Sequence, residues 1–268
     1  MVIKFNEGMQ MKLKTINVIS LSLISSTVLA GTMGPIDNFK PSLYFKVGSG
    51  GSYSMSAGIN NPNPTYWDAS PQGYNGDVGQ SALYSAAIGY SYSKLISTDF
   101  EYIYRPSFNY IKYQTSTASQ TTGFNGNKTR IFNLQSNSLM WNVYLHGKGY
   151  SDDLNYNVYD DIFMEPFVGG GLGVAFNTVS NFHSNPVNAT VSTIMNDNYK
   201  TSIAWQFSAG LNFYNTSNFN LGAGYRYYNG EGFASNSYIV NNQNIVPPWL
   251  GIIQANEFFV QLGYKIDS

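Results

Sequence analysis

Residues 256–266 alternate strictly: Phe258, Val260, Leu262, Tyr264 and Ile266 fall on one face, Glu257, Phe259, Gln261, Gly263 and Lys265 on the other. A period of two is that of a β-strand with one apolar face. The same pattern recurs over residues 42–52, 81–92, 98–113, 134–147, 162–177, 201–214 and 219–230, which makes eight predicted strands with the last. The connections alternate in length. Long polar segments follow the first, third, fifth and seventh strands (53–80, 114–133, 178–200 and 231–255); short ones follow the second and sixth (93–97 and 215–218). The connection after the fourth, 148–161, breaks the rule and carries Asp152, Asp153, Asp160 and Asp161. It holds either extensions of its two strands or a misplaced boundary. Long and short connections in alternation are the layout of an eight-stranded antiparallel up-and-down transmembrane β-barrel, an all-β fold.

The N-terminus changes the picture by adding export. Lys12 and Lys14 precede an apolar run diluted by Ser and Thr, and Val28-Leu29-Ala30 places small residues at a cleavage position. Residues 1–30 therefore read as a secretory signal, with Met9 or Met11 as the preferred initiator. A short periplasmic segment, 31–41, leads into the barrel, 42–268. No later segment reaches the ~20 apolar residues of a spanning helix, so a membrane is crossed by strands. Charged residues make up only 11%, against about 25% in soluble domains, while 22 Tyr and 17 Phe supply material for interfacial girdles. A soluble β-sandwich would carry many Lys and Glu on its exposed face, which this chain lacks. The net charge of -1 implies no nucleic-acid surface, and with no Cys there is neither a disulfide scaffold nor a thiolate metal site.

Parity assigns directions. Toward lipid point Tyr84, Ile88, Tyr90, Tyr92, Phe100, Tyr102, Tyr104, Leu139, Trp141, Val143, Leu145, Val168, Leu172, Val174, Ile203, Trp205, Phe207, Leu211, Leu221, Tyr225 and Tyr227. The opposite parity collects Lys46, Glu101, Arg105, Glu165, Arg226, Glu257 and Lys265, with Asn142, His146, Gln206 and Gln261. A Lys or Arg on the lipid face costs roughly 2–4 kcal/mol near the midplane, so the segregation points to a luminal charge network. Glu101 and Arg105 lie ~13 Å apart along one strand and must find partners elsewhere. The network reads either as a packed core that seals the lumen or as a polar path for ions. Gly169, Gly171 and Gly173 share its parity and either widen the lumen or permit close backbone approach and strand coiling.

Pro166-Phe-Val-Gly-Gly-Gly-Leu-Gly-Val-Ala175 resembles the fifth-strand segment of opacity-type and surface-antigen-type outer-membrane proteins, which share the eight-stranded barrel of the outer-membrane protein A transmembrane domain. Phe207 to Phe213, Asn220 to Tyr228 and Phe258 to Ile266 are similar to the sixth, seventh and closing strands of that group, and Gly31-Thr-Met-Gly-Pro35 to the mature start of some gammaproteobacterial members. Two departures stand out: Tyr264 is the last aromatic, followed by Lys265-Ile-Asp-Ser268, and no peptidoglycan-binding domain is expected. The resemblance implies a monomer in the bacterial outer membrane, in contact with its lipid and lipopolysaccharide. Its termini are then periplasmic, its long loops extracellular, and its C-terminal strand is read by the barrel assembly machinery. It implies a structural envelope role, with loops that mediate adhesion to a host surface or act as surface antigen. Tyr53, Tyr66, Trp67, Tyr74 and Trp249 are the candidate loop contacts.

Two rivals remain: a small ion or solute pore, and a lipid A-modifying barrel enzyme. Against the enzyme, only two His occur. His146 ends the fourth strand and points inward; His183 sits in a loop beside Ser184, without the His-x-Ser spacing of barrel deacylases. The paired aspartates read as a solvated turn. No catalytic, cofactor-binding or metal site is expected, and the chain is read as no enzyme.

Overall fold

The computed structural model describes residues 39–59, 76–114, 128–186, 193–215, 218–240, 244–246 and 248–266. The signal-peptide assignment falls outside them. The barrel strands are β1 (Ser42–Ser54), β2 (Gln80–Ser91), β3 (Ile96–Gln114), β4 (Lys128–His146), β6 (Ile162–Pro186), β8 (Asn198–Tyr214), β9 (Phe219–Ala234) and β12 (Leu250–Ile266). Shorter pieces are β5 (Tyr156–Tyr159), β7 (Thr193–Met195), β10 (Tyr238–Val240), β11 (Asn244–Val246) and one helical turn, α1 (Gly147–Tyr150). Neighbouring barrel strands pair antiparallel in the order β4-β3-β2-β1-β12-β9-β8-β6, and β4 pairs with β6, which closes the cylinder.

The outer wall follows from the alternation. One row of paired residues passes through every strand: Phe219, Tyr264, Phe45, Ile88, Phe100, Trp141, Leu172 and Trp205. All are apolar or aromatic. The row leaves β9 at Phe219 and returns to it at Asn229, the partner of Trp205, ten residues along the strand. That offset is the shear of the barrel. It tilts the strands and, with eight of them, leaves an interior only wide enough for side chains to fill. The expected lipid-facing side chains are exposed, apart from Tyr104, Trp205 and Tyr227, which neighbours half-cover. An apolar exterior around a charged interior is the reverse of a soluble sheet protein and makes this a transmembrane barrel.

Most strands are longer than the alternation predicts, with the large extensions at the end bearing the long connections. β4 starts at Lys128 rather than 134, β6 runs to Pro186 rather than 177, and β12 starts at Leu250 rather than 256. Pairing continues there, but its phase slips. Register shifts fall at Arg105/Phe108, beside Pro106, and at Ile131/Asn133 and Ile253/Gln254. Asn181 and Glu231 take positive φ of 53°. Each irregularity is bulge-like, moving the inward positions by one residue, so a period-two reading stops where the strand does not. Beyond the slips the interior turns apolar: Phe132 stacks on Tyr110 and Phe182, and Phe182 meets Trp249 edge-on.

The long connection between the fourth and fifth predicted strands resolves into α1, a 3-10 turn over Asp152–Leu154 and the β5–β6 hairpin. Its four aspartates are exposed. The glycines of β6 do not widen the lumen. A Cβ on Gly169 would strike the Tyr144 ring, one on Gly171 the Asn142 amide, and one on Gly173 the Leu139 carbonyl. Gly171→Ala should therefore destabilise the refolded barrel by about 1–3 kcal/mol through overpacking. Gly170→Ala, whose Cβ meets the outward Phe207 ring at 3.4 Å and the Gln206 carbonyl at 3.8 Å, should leave the urea midpoint near wild type. Equal midpoints for the two variants would disprove this packing.

Candidate functional site

The inward faces of β1, β3, β9 and β12 bring three cations and three carboxylates into one layer. Arg105 on β3 reaches across to Glu257 on β12, with Nε to Oε1 at 2.6 Å and Nη2 to Oε2 at 3.2 Å. Arg226 on β9 donates from Nη2 to both oxygens of Glu101, at 2.9 and 3.0 Å, while its Nη1 lies 3.7 Å from Glu257. Lys46 on β1 meets Asp99 on β3 at 2.6 Å. Amides and hydroxyls fill the gaps. Asn142 donates to Asp99 and Glu101, Gln206 to Asn142, Ser52 to Glu257, and Arg105 also to Ser138. The Arg105 guanidinium lies 3.5 Å from the Tyr228 ring centroid, and the Lys46 ammonium 4.2 Å from that of Tyr144. Glu101, Arg105, Arg226 and Glu257 are all at most 3% exposed. Such charges persist out of water only when paired and hydrogen-bonded, as here.

Glu101 and Arg105 thus find their partners on other strands. Asp99 belongs to the layer too. It has the inward parity, but it stands one residue inside the predicted start of its strand, where the alternation gives little support. Lys265 and Glu165 lie elsewhere, around a cavity of about 180 Å³ at the short-turn mouth. Its lining includes Ser93 and Lys94 from the β2–β3 turn and Asn215 and Asn218 from the β8–β9 turn. Glu165 sits 3.4 Å from His146 Nδ1 and 3.6 Å from Lys148. The Ser97 hydroxyl is 2.8 Å from His146 Nε2. Ser97 and His146 are 49 residues apart, and no local motif signals their meeting.

The candidate loop contacts divide. Tyr53 lies on β1, half exposed on the outer wall, its ring edge-on to Phe258. Trp249 requires a correction. It is 2% exposed, packs on Phe182 from inside, and exchanges backbone and hydroxyl hydrogen bonds with Ser235, so it offers no ring to a partner. The reason is the extra length of β12, which carries its start into the aromatic layer. Tyr66, Trp67 and Tyr74 lie outside the described residues.

No protein-family model and no curated protein sequence matches the chain. Similar solved structures include Neisserial surface protein A (12% identity, 85% of this chain and 100% of that one, TM-score 0.46). They also include outer membrane protein OprG from Pseudomonas aeruginosa (12%, 85% and 96%, 0.48), and Ail, the attachment invasion locus protein of Yersinia pestis (11%, 85% and 100%, 0.39).

Proposed function

We propose that this chain is a monomeric barrel of the bacterial outer membrane whose lumen is sealed by its charge layer, and that it serves as a structural envelope element with a recognition surface at the long-loop end. The observation that carries the reading is the pairing of three cations with three carboxylates across a shear-ten barrel, flanked by a stacked aromatic layer. A neutral, hydrogen-bonded plug offers a passing ion no free charge, and side chains fill the bore. The apolar belt faces lipid, with lipopolysaccharide around its outer rim. The long connections stand at the extracellular end, the termini in the periplasm, and β12 is the strand presented to the assembly machinery. The loops then mediate adhesion to a host surface or act as surface antigen. This role asks no catalysis of the barrel.

Single-channel recording tests it. The mature chain, residues 31–268, is refolded, folding is verified by the gel-mobility difference between unboiled and boiled samples, and the protein is inserted in a planar bilayer. Silence is expected. Reproducible, long-lived conductance steps would overturn the sealed lumen and make the charge layer the lining of a pore.

A further inference from the structure

The short-turn mouth carries chemistry that the envelope role does not use. Ser97 is the second residue of β3, His146 ends β4 and Glu165 lies near the start of β6. These strands are consecutive in the wall, and the inward residues form a diagonal across them. Ser97 Oγ lies 2.8 Å from His146 Nε2; His146 Nδ1 lies 3.4 Å from Glu165 Oε1. The order is hydroxyl, imidazole, carboxylate, with each imidazole nitrogen facing one neighbour. The second distance is long for a hydrogen bond, as such contacts often are before a ligand binds. All three residues line the 180 Å³ cavity. The second carboxylate oxygen of Glu165 faces the Lys148 ammonium at 3.6 Å, which holds the carboxylate beside the imidazole.

We infer that Ser97, His146 and Glu165 form a nucleophilic triad at the short-turn mouth, acting on short acyl esters. Ser97 and His146 are the catalytic residues; Glu165 is a positioning residue that holds the imidazole tautomer. In the first half-reaction Ser97 Oγ bonds to the acyl carbon and its proton passes to His146 Nε2. Collapse of the tetrahedral adduct breaks the bond to the alcohol oxygen, which leaves with that proton. Water then bonds to the acyl carbon and gives a proton to the same nitrogen; the bond from that carbon to Oγ breaks, Oγ takes the proton back from His146 Nε2, and the free acid leaves. The substrate class follows from the lining. The Tyr44, Tyr144 and Phe167 rings accept an apolar acyl group, the Asn212 and Gln261 amides its polar end, and the volume limits the chain to a few carbons.

The test uses the refolded full barrel and an alkyl fluorophosphonate. Attack by an activated serine forms an Oγ–P bond and expels fluoride, and unactivated serines do not react. Phosphonylation of the wild-type chain is expected at Ser97, located by peptide mass spectrometry, together with hydrolysis of 4-nitrophenyl butyrate. Ser97→Ala should abolish labelling and lower hydrolysis by about 10³-fold or more. Glu165→Gln should slow labelling by at least about 10²-fold and Glu165→Asp should restore part of the rate, a rescue that a merely structural carboxylate would not produce. Wild-type protein of verified fold that takes no label, or takes it at another residue, would overturn the triad. The peptide map of the wild type decides this even if a variant fails to refold, and it decides it whether or not the lumen conducts.

Discussion

Glu257→Ala is expected to cost the folded barrel about 3–5 kcal/mol, the loss that follows when one partner of a buried charge set is removed. Glu257 is the shared acceptor of the layer. It takes two hydrogen bonds from Arg105 and one from Ser52, and faces Arg226 at 3.7 Å. Without it Arg105 keeps only the Ser138 hydroxyl among its described hydrogen-bond partners, and the layer holds one cation too many. Arg105→Met should cost less. Glu257 then retains Ser52 and the approach of Arg226, and the methionine stem still packs on Tyr228. The order of the two urea midpoints, measured on protein refolded into lipid vesicles, is the check. A Glu257→Ala midpoint at or above that of Arg105→Met would refute the shared-acceptor role.

Leu172→Arg is the second large effect, expected at about 2–4 kcal/mol. Leu172 is 65% exposed on the outer face of β6, between Val168 and Phe176 and in the row that joins Trp141 to Trp205. An arginine there has no carboxylate in reach and must drag its guanidinium toward an interface. If the belt lies in lipid, the variant loses stability in vesicles of long-chain lipid and recovers part of it in thinner ones, where the interface is nearer. A variant as stable as wild type in thick bilayers would place this face outside the hydrocarbon.

Both predictions draw on features of unequal legibility. The belt was readable residue by residue, because each outward position obeys one local rule and lipid tolerates no exceptions. Membership of the charge layer is only partly readable: parity finds Lys46, Glu101, Arg105, Arg226 and Glu257, but it also includes Glu165 and Lys265, which lie at the short-turn mouth, and Asp99 is lost at a strand boundary. Its pairing was not readable. Arg105 and Glu257 are 152 residues apart, and which inward residue meets which across the bore is set by the shear, a property of the closed cylinder and of no single strand. The same holds for Ser97, His146 and Glu165, brought together by strand order and register. Trp249 was misplaced for another reason. Its neighbours look like a loop because Pro247 and Pro248 precede it, and nothing local announces that β12 begins two residues after them.

The closure of β12 on β1 also carries a temporal consequence. Ser52 finds its carboxylate 205 residues later in the chain, and Arg105 takes its described carboxylate from Glu257, which only the last strand brings. Until that strand docks, the wall has two open edges and the Arg105 guanidinium lacks its carboxylate. Such an intermediate has no stable place in hydrocarbon. The last strand to be made is thus the one that both closes the wall and completes the charge layer.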